Sequence, residues 1–299
     1  MKNFIKLLLI LPLLNSSLFA QEETPSDTSG KERSFKIGLY IGSYFANKYT
    51  AGAYDGYGFD INGVRNSTFE TSYMYQKIIN EYGGGYGQVD QIAIALGVNS
   101  TADWSFTKDD MPVNMRYIPS FLLGLQCRYS VDKKNAISLN LNAAKLKVSG
   151  NFTMTTRPPS GSSQINNSIQ TFGIEGGEQR LMIQVGYSRI IGNNEKANFF
   201  VEGGLNMTYS QFDKNEILIN TLHIDLVAFY DYQGIQSPQT RLPRGMGYGA
   251  YAGAGVNITA GEKFTVQLLY TPSYEGIKIG NNPQLKWQHS IGLRAYYNF

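Results

Sequence analysis

From Ser34 to the end of the chain, apolar residues alternate with polar or small ones in segments of about 10 to 14 residues, the period of a strand with two unlike faces. The first segment, SFKIGLYIGSYF, sets Phe35, Ile37, Leu39 and Ile41 against Lys36, Gly38, Tyr40 and Gly42. Seven more follow at 117–130, 136–143, 180–188, 199–209, 246–258, 264–271 and 285–299. The third alternates Ile137, Leu139 and Leu141 with Ser138, Asn140 and Asn142, then changes phase near Ala143 and Ala144. A bulge, or the edge of a membrane, is expected there.

Alternation alone suits a soluble β-sandwich equally well. Two further patterns separate the readings. Aromatic residues on the apolar face fall at segment ends, as in Tyr117 with Tyr129, Phe199 with Tyr209 and Trp287 with Tyr297. At ~3.3 Å per residue and a tilt near 45°, members of each pair stand about 25 Å apart along the membrane normal, the height of a lipid-facing band with aromatic girdles. The links also alternate in length. VDKKN, RIIGNNEK and TAGEK are short, whereas the first outer link runs from Ala46 to Met115. Short turns on one rim and longer loops on the other predict an all-β fold, an eight-stranded antiparallel up-and-down transmembrane β-barrel. Its even strand number puts both termini on the short-turn, periplasmic side.

Composition sharpens this picture. The chain has 21 Tyr, 16 Phe and 32 Gly among 299 residues, and no long apolar run beyond its first twenty residues. A helical span needs roughly 20 apolar residues in succession, so strands must do the crossing. MKNFIKLLLILPLLNSSLFA has two lysines, a short apolar stretch and small residues before Gln21. It reads as a signal peptide over 1–20, followed by a polar, flexible mature N-terminus over 21–33 and the barrel over 34–299. The net charge of +3 falls by two without Lys2 and Lys6, which leaves no electrostatic footprint for nucleic acid. Cys127 is the single cysteine, so neither a disulfide nor a multi-cysteine metal site is available.

The chain stops on RAYYNF, with Tyr297 and Phe299 on one face of the last segment. In this terminal aromatic strand, and in its architecture from Ser34 onward, it resembles bacterial outer-membrane barrels, the small OmpA-like and OmpX-like ones above all. Its signal and its tyrosine-rich, asparagine-rich strands resemble Bacteroidota envelope proteins. The resemblance implies integral residence in an outer membrane among lipid and lipopolysaccharide. It also implies recognition of Tyr297 and Phe299 by the barrel-assembly machinery.

An eight-stranded barrel is just wide enough for side chains to fill. The strand phase aims Lys36, Arg128, Arg180, Glu202 and Arg294 inward, and buried charges must pair, so Glu202 is expected to meet one or more of these cations. Enzymatic constellations are poor. His289 and Ser290 are adjacent, which puts them on opposite faces, unlike the Ser-His site of lipid A deacylases. His223 with Asp225, and Asp109 with Asp110, are too scattered for a protease site. GGGYG at 83–87 lacks the Lys-Ser/Thr ending of a phosphate loop. No catalytic residue, metal or cofactor is expected, and function is left to the loops. Tyr73, Met74 and Ile78 fit a helical stripe, while Leu222, Ile224, Leu226 and Tyr230 alternate in a segment too apolar for a solvated loop. Either this segment continues the barrel as a hairpin covered by the first loop, or these residues face another envelope protein. The sequence thus predicts a non-enzymatic structural or accessory subunit, with a transport barrel as the alternative and a hydrolase as the remote one.

Overall fold

The computed structural model describes residues 34–60, 64–158, 167–194, 196–227, 244–261, 263–279 and 283–298. The expected signal peptide, the mature N-terminus, Tyr230 and Phe299 lie outside the described residues. Eight long strands form the wall: β1 (Ser34–Phe45), β2 (Ser120–Ser130), β3 (Asn135–Thr156), β4 (Ser168–Ile191), β5 (Ala197–Ile219), β6 (Arg244–Ala260), β7 (Phe264–Ile277) and β8 (Leu285–Asn298). Each pairs antiparallel with its neighbours in sequence. β8 returns to β1, from Lys36 opposite Asn298 to Phe45 opposite His289, so the ring closes. Closure leaves no unpaired backbone edge in the wall, the condition for a sheet surrounded by lipid.

The outer face of the lower wall is apolar and solvent-accessible. Leu39, Leu123, Val185, Leu205, Leu268 and Leu293 all project from it, Leu205 being 73% exposed. Inside, Gln126, Asn140, Gln184, Asn206 and Gln267 are buried. This is the inverse of a water-soluble barrel, and it reverses partway up. On β3 the outward residues change from Ile137, Leu139 and Leu141 to Lys145 and Lys147, while the buried ones change from Ser138, Asn140 and Asn142 to Leu146, Val148, Phe152 and Met154. β4 and β5 do the same, burying Phe172 and Ile174 on one and Phe212, Ile217 and Ile219 on the other.

The expected phase change near Ala143 and Ala144 is therefore not a bulge. β3 keeps one unbroken register against β4, from Asn135 opposite Arg189 to Thr156 opposite Ser168. What switches is the chemistry of each face. The register shift in this part of the wall lies at Gly177/Glu178, where β5 carries Asp213 as an extra residue. A second irregularity surrounds Pro119. Tyr117 lies opposite Val148 in a short strand, Arg116–Ile118, yet Leu122 lies opposite Ala144, so one extra residue is inserted between them. Proline gives no ladder hydrogen bond, and a bulge there reverses the facing of what precedes it. Tyr117, expected on the lipid face, points inward instead, its hydroxyl on Glu178.

Above the reversal the first outer link folds into a cap. It contains helices α1 (Lys48–Ala51), α2 (Tyr73–Tyr75, continued by a π-helical turn over Gln76–Glu81) and α3 (Gln91–Leu96). α2 and α3 are N-capped by Ser72 and Asp90, which accept from the amides of Tyr75 and Ala93 and satisfy donors that a helix end leaves free. Beyond Ile219, β5 turns into a short strand, Leu222–Asp225, which pairs back on it. Met74, Ile78, Ile92, Phe152, Ile217 and Ile224 meet in one core roofing the barrel.

Candidate functional site

The lumen holds two polar clusters rather than the single network expected around Glu202. In the upper one Arg180, on β4, is fully buried and its Nε lies 2.5 Å from Glu178 Oε1. The rest of its guanidinium donates to Tyr44, Thr50 and Tyr117 hydroxyls at 3.1, 2.9 and 3.1 Å. Glu178 also accepts from the hydroxyls of Tyr54, Tyr117 and Ser210. A second carboxylate, Glu275, accepts from Asn206 Nδ2 and Thr208 Oγ1, each at 2.6 Å, and from the Tyr44 hydroxyl at 3.4 Å. These contacts tie β1, β4, β5, β7, the helix α1 and the Tyr117 segment to one point under the cap.

In the lower cluster Arg294 holds Glu202 through both oxygens, Nη1 to Oε2 at 2.7 Å and Nη2 to Oε1 at 2.8 Å. Two parallel charge-assisted bonds fix both side chains in the plane that a guanidinium and a carboxylate share. Gln267 adds an acceptor to Arg294 at 3.4 Å and donates to Asn257 at 2.9 Å. Arg180 does not belong to this group. Lys36 and Arg128 form no ion pair among the described residues, and stand opposite each other across β1 and β2.

Tyrosines fill much of what remains. Tyr40, Tyr44, Tyr251 and Tyr296 are buried inside the wall. They fit because glycine lies across from them: a Cβ on Gly38 would stand 2.7 Å from a Tyr296 ring carbon, and one on Gly186 2.2 Å from the Tyr251 hydroxyl.

Glu178 and Glu275 were not visible in the strand pattern. Glu178 abuts the register shift, where alternation slips. Glu275 lies beyond Pro272, which ends the apparent seventh segment yet sits in β7 opposite His289. Proline is tolerated there because the pairing of β7 with β6 is interrupted at that level.

The described residues among those expected to face a partner pack within the molecule. Met74, Ile78, Ile224 and Leu226 have no exposed surface, and Tyr73 and Leu222 pack partly buried against the same core. Of the two expectations for the apolar outer segment, the hairpin covered by the first loop is the one formed. Met74, Ile78, Ile224 and Leu226 are thus covered by the cap's own side chains, while Tyr73 and Leu222 keep part of their surface open.

His289 stacks on Tyr270, its Nδ1 2.6 Å from the Tyr270 hydroxyl, on the outer face. Ser290 is turned inward towards the Thr271 carbonyl. His223 lies far above it in the cap hairpin. Among the described residues no group of three metal-ligating side chains comes together. A cleft of about 660 Å³ opens beside the cap, lined by Lys48, Tyr49, Asp55, Val113, Arg116 and Asn151 among others. Asp55 there is ion-paired to Arg65. Burial raises the Asp55 carboxyl above its ordinary range, and the Arg65 charge works in the opposite direction.

No protein-family model matches the chain, and no curated protein does. Solved structures with similar chains include Ail, the attachment invasion locus protein of Yersinia pestis, at 12% identity over 91% of this chain and 100% of that one, with a TM-score of 0.34. The outer membrane protein OprG of Pseudomonas aeruginosa is 12% identical over 90% of this chain and 97% of the other, TM-score 0.39. The N-terminal β-barrel domain of Pseudomonas aeruginosa OprF is 12% identical over 62% of this chain and 91% of that domain, TM-score 0.32.

Proposed function

We propose that the chain is a non-enzymatic integral outer-membrane barrel with a self-closed lumen, serving as a structural or accessory envelope component that displays a folded cap outside the cell. The observation that carries this reading is the reversal of face chemistry along β3, β4 and β5. Apolar residues face out and polar residues face in below it, and the opposite holds above it, which is the pattern required of one sheet standing in two solvents. A lumen filled by tyrosines and ion pairs favours a structural role over transport. Export through the first twenty residues, assembly through Tyr297 and Phe299, and periplasmic termini belong to the same reading. Any envelope partner would then meet the outer surface of the cap, where Val89 and Ile94 are exposed, and not the buried residues of its core.

Single cysteines in a Cys127→Ser background test it on whole cells. Asn151→Cys, above the reversal, should react with a membrane-impermeant maleimide, while Leu205→Cys, on the lower wall, should stay unlabelled. Equal labelling of both would sink the membrane reading. Purified protein in planar bilayers should give no steady conductance. A reproducible open channel would return the transport alternative to first place. A partner captured in mild detergent should be lost in Ile94→Glu, with the barrel still folded.

A further inference from the structure

The lower lumen carries more positive charge than its described residues neutralise. Lys36, Arg128 and Arg294 face it with one carboxylate, Glu202, which Arg294 already engages through both oxygens. Lys36 and Arg128 are direct cross-strand neighbours, and like charges so placed repel. Arg128 is only 6% exposed, and its buried Nε has no hydrogen-bond partner among the described residues. On the adjacent rung Gln126 lies opposite Asn140, both with no exposed surface. Gln126 Oε1, Asn140 Nδ2 and Asn140 Oδ1 are likewise buried without partners. Polar side chains so deeply buried are ordinarily satisfied, and a buried cation is ordinarily paired.

Among the described residues, seven of the ten buried side-chain atoms without partners lie on the adjacent strands β8, β1, β2 and β3, on Tyr40, Gln126, Arg128, Asn140, Arg294 and Tyr296, and the other three lie on β5 and β6. Lys36 and Arg128 share a rung of this sector, and the unmet amide donor of Asn140 lies on the next inward-facing rung of β3. A guanidinium presents two parallel N–H groups that match two oxygens of a tetrahedral oxyanion, a geometry chloride cannot use. We propose that this sector binds a small inorganic oxyanion of the phosphate or sulfate type, admitted from the short-turn rim past the half-buried Lys36. The site goes beyond the structural role argued above and does not depend on the cap.

The full chain, folded in a non-ionic detergent, is titrated with sodium phosphate while sodium gluconate holds ionic strength constant. Binding is read by calorimetric titration and by the thermal midpoint. A heat-modifiable band on gels checks in every sample that the barrel is folded, so failure of the site is distinguishable from failure of the barrel. The wild type should show a saturable rise in midpoint, with chloride at least tenfold weaker than phosphate. Arg128→Gln should abolish the response, and Lys36→Gln should weaken it at least tenfold. In gluconate alone Arg128→Gln should melt no lower than the wild type, because it removes an unpaired charge. A wild type with no saturable response, an undiminished response in Arg128→Gln, or a markedly lower midpoint for that variant in gluconate overturns the proposal. Should Arg128→Gln not give the heat-modifiable form, an unchanged phosphate response in Lys36→Gln would overturn it alone.

Discussion

At the scale of single residues, the two lumenal ion pairs differ in what their loss would leave behind. Removing Glu178 strands Arg180, whose side chain is fully buried, and an uncompensated buried charge costs about 3–5 kcal/mol. Glu178→Ala should therefore destabilise the barrel by that order in urea unfolding from detergent. The double variant Glu178→Met, Arg180→Met should recover much of it, because matched apolar side chains leave nothing unpaired. A single variant within 1 kcal/mol of wild type, on the order of an exposed pair's worth, would show that Glu178 does not neutralise Arg180. A different carboxylate controls the turn between β2 and β3. Asp132 accepts from the side-chain amide of Asn135 at 2.8 Å and from the backbone N–H groups of Lys134 and Asn135, each at 2.8 Å. Chiefly the Asn135 side chain, and then those backbone amides, hold its carboxyl below the ordinary range. A depressed folded-state value means that this contribution is present above the unfolded value, about 4, and is lost as pH falls through the lower folded one. Asp132→Asn should flatten that part of the stability profile below about pH 4 while leaving it unchanged near neutrality, in melts recorded from pH 2 to 7. An acid limb identical to wild type would remove Asp132 from the account.

At the scale of elements, the strands have two halves with opposite rules. Below the reversal, arginine at outward Leu205 should cost about 2–4 kcal/mol if that position is near mid-membrane. Above it, Lys147→Leu should change stability by no more than about 0.5 kcal/mol, as surface substitutions do. Equilibrium unfolding in phospholipid vesicles compares the two, and similar costs at both positions would contradict the reversal. The same feature explains what could be read from the sequence. All eight wall strands show in the alternation, because lipid outside and polar groups inside keep one phase through each lower half. The upper halves of β3 and β4 keep their geometry but exchange their chemistry, so Lys145 to Thr156 looks like a phase error followed by a loop. Pro119 and Asp213 each insert one residue, which hides Tyr117 and Glu178 from any argument based on parity. Glu202 and Arg294 were legible as inward charges because the stretches of β5 and β8 that carry them keep an unbroken register with their neighbours. The cap helices showed only as a stripe through Met74 and Ile78, since helices of a few residues are set by capping and tertiary cover more than by their own period.

At the scale of the whole molecule, the closed ring, the packed lumen and the roofed mouth make one body with a single boundary between its two environments. On β1 the outward residues from Phe35 to Phe45 span about 23 Å along the normal at 3.3 Å per residue and a 45° tilt. On β3 the outward face turns to Lys145 and Lys147, both exposed, beside the upper end of that band. The protein therefore cannot ride up or down in its membrane. Sinking would carry those ammonium groups into hydrocarbon, and rising would lift Leu139 and Leu141 into water. When the bilayer is too thick or too thin, the lipid must deform to meet the wall, because a closed barrel has little freedom to alter its tilt. Thermal midpoints in phosphatidylcholine bilayers of increasing acyl length should accordingly peak near a hydrocarbon thickness of about 25 Å and fall on either side. A midpoint indifferent to thickness would mean that the boundary drawn by the side chains does not bind the barrel to a depth. In the proposed orientation, the reversal of face chemistry works as an anchor along the membrane normal, setting how far the cap stands above the cell surface.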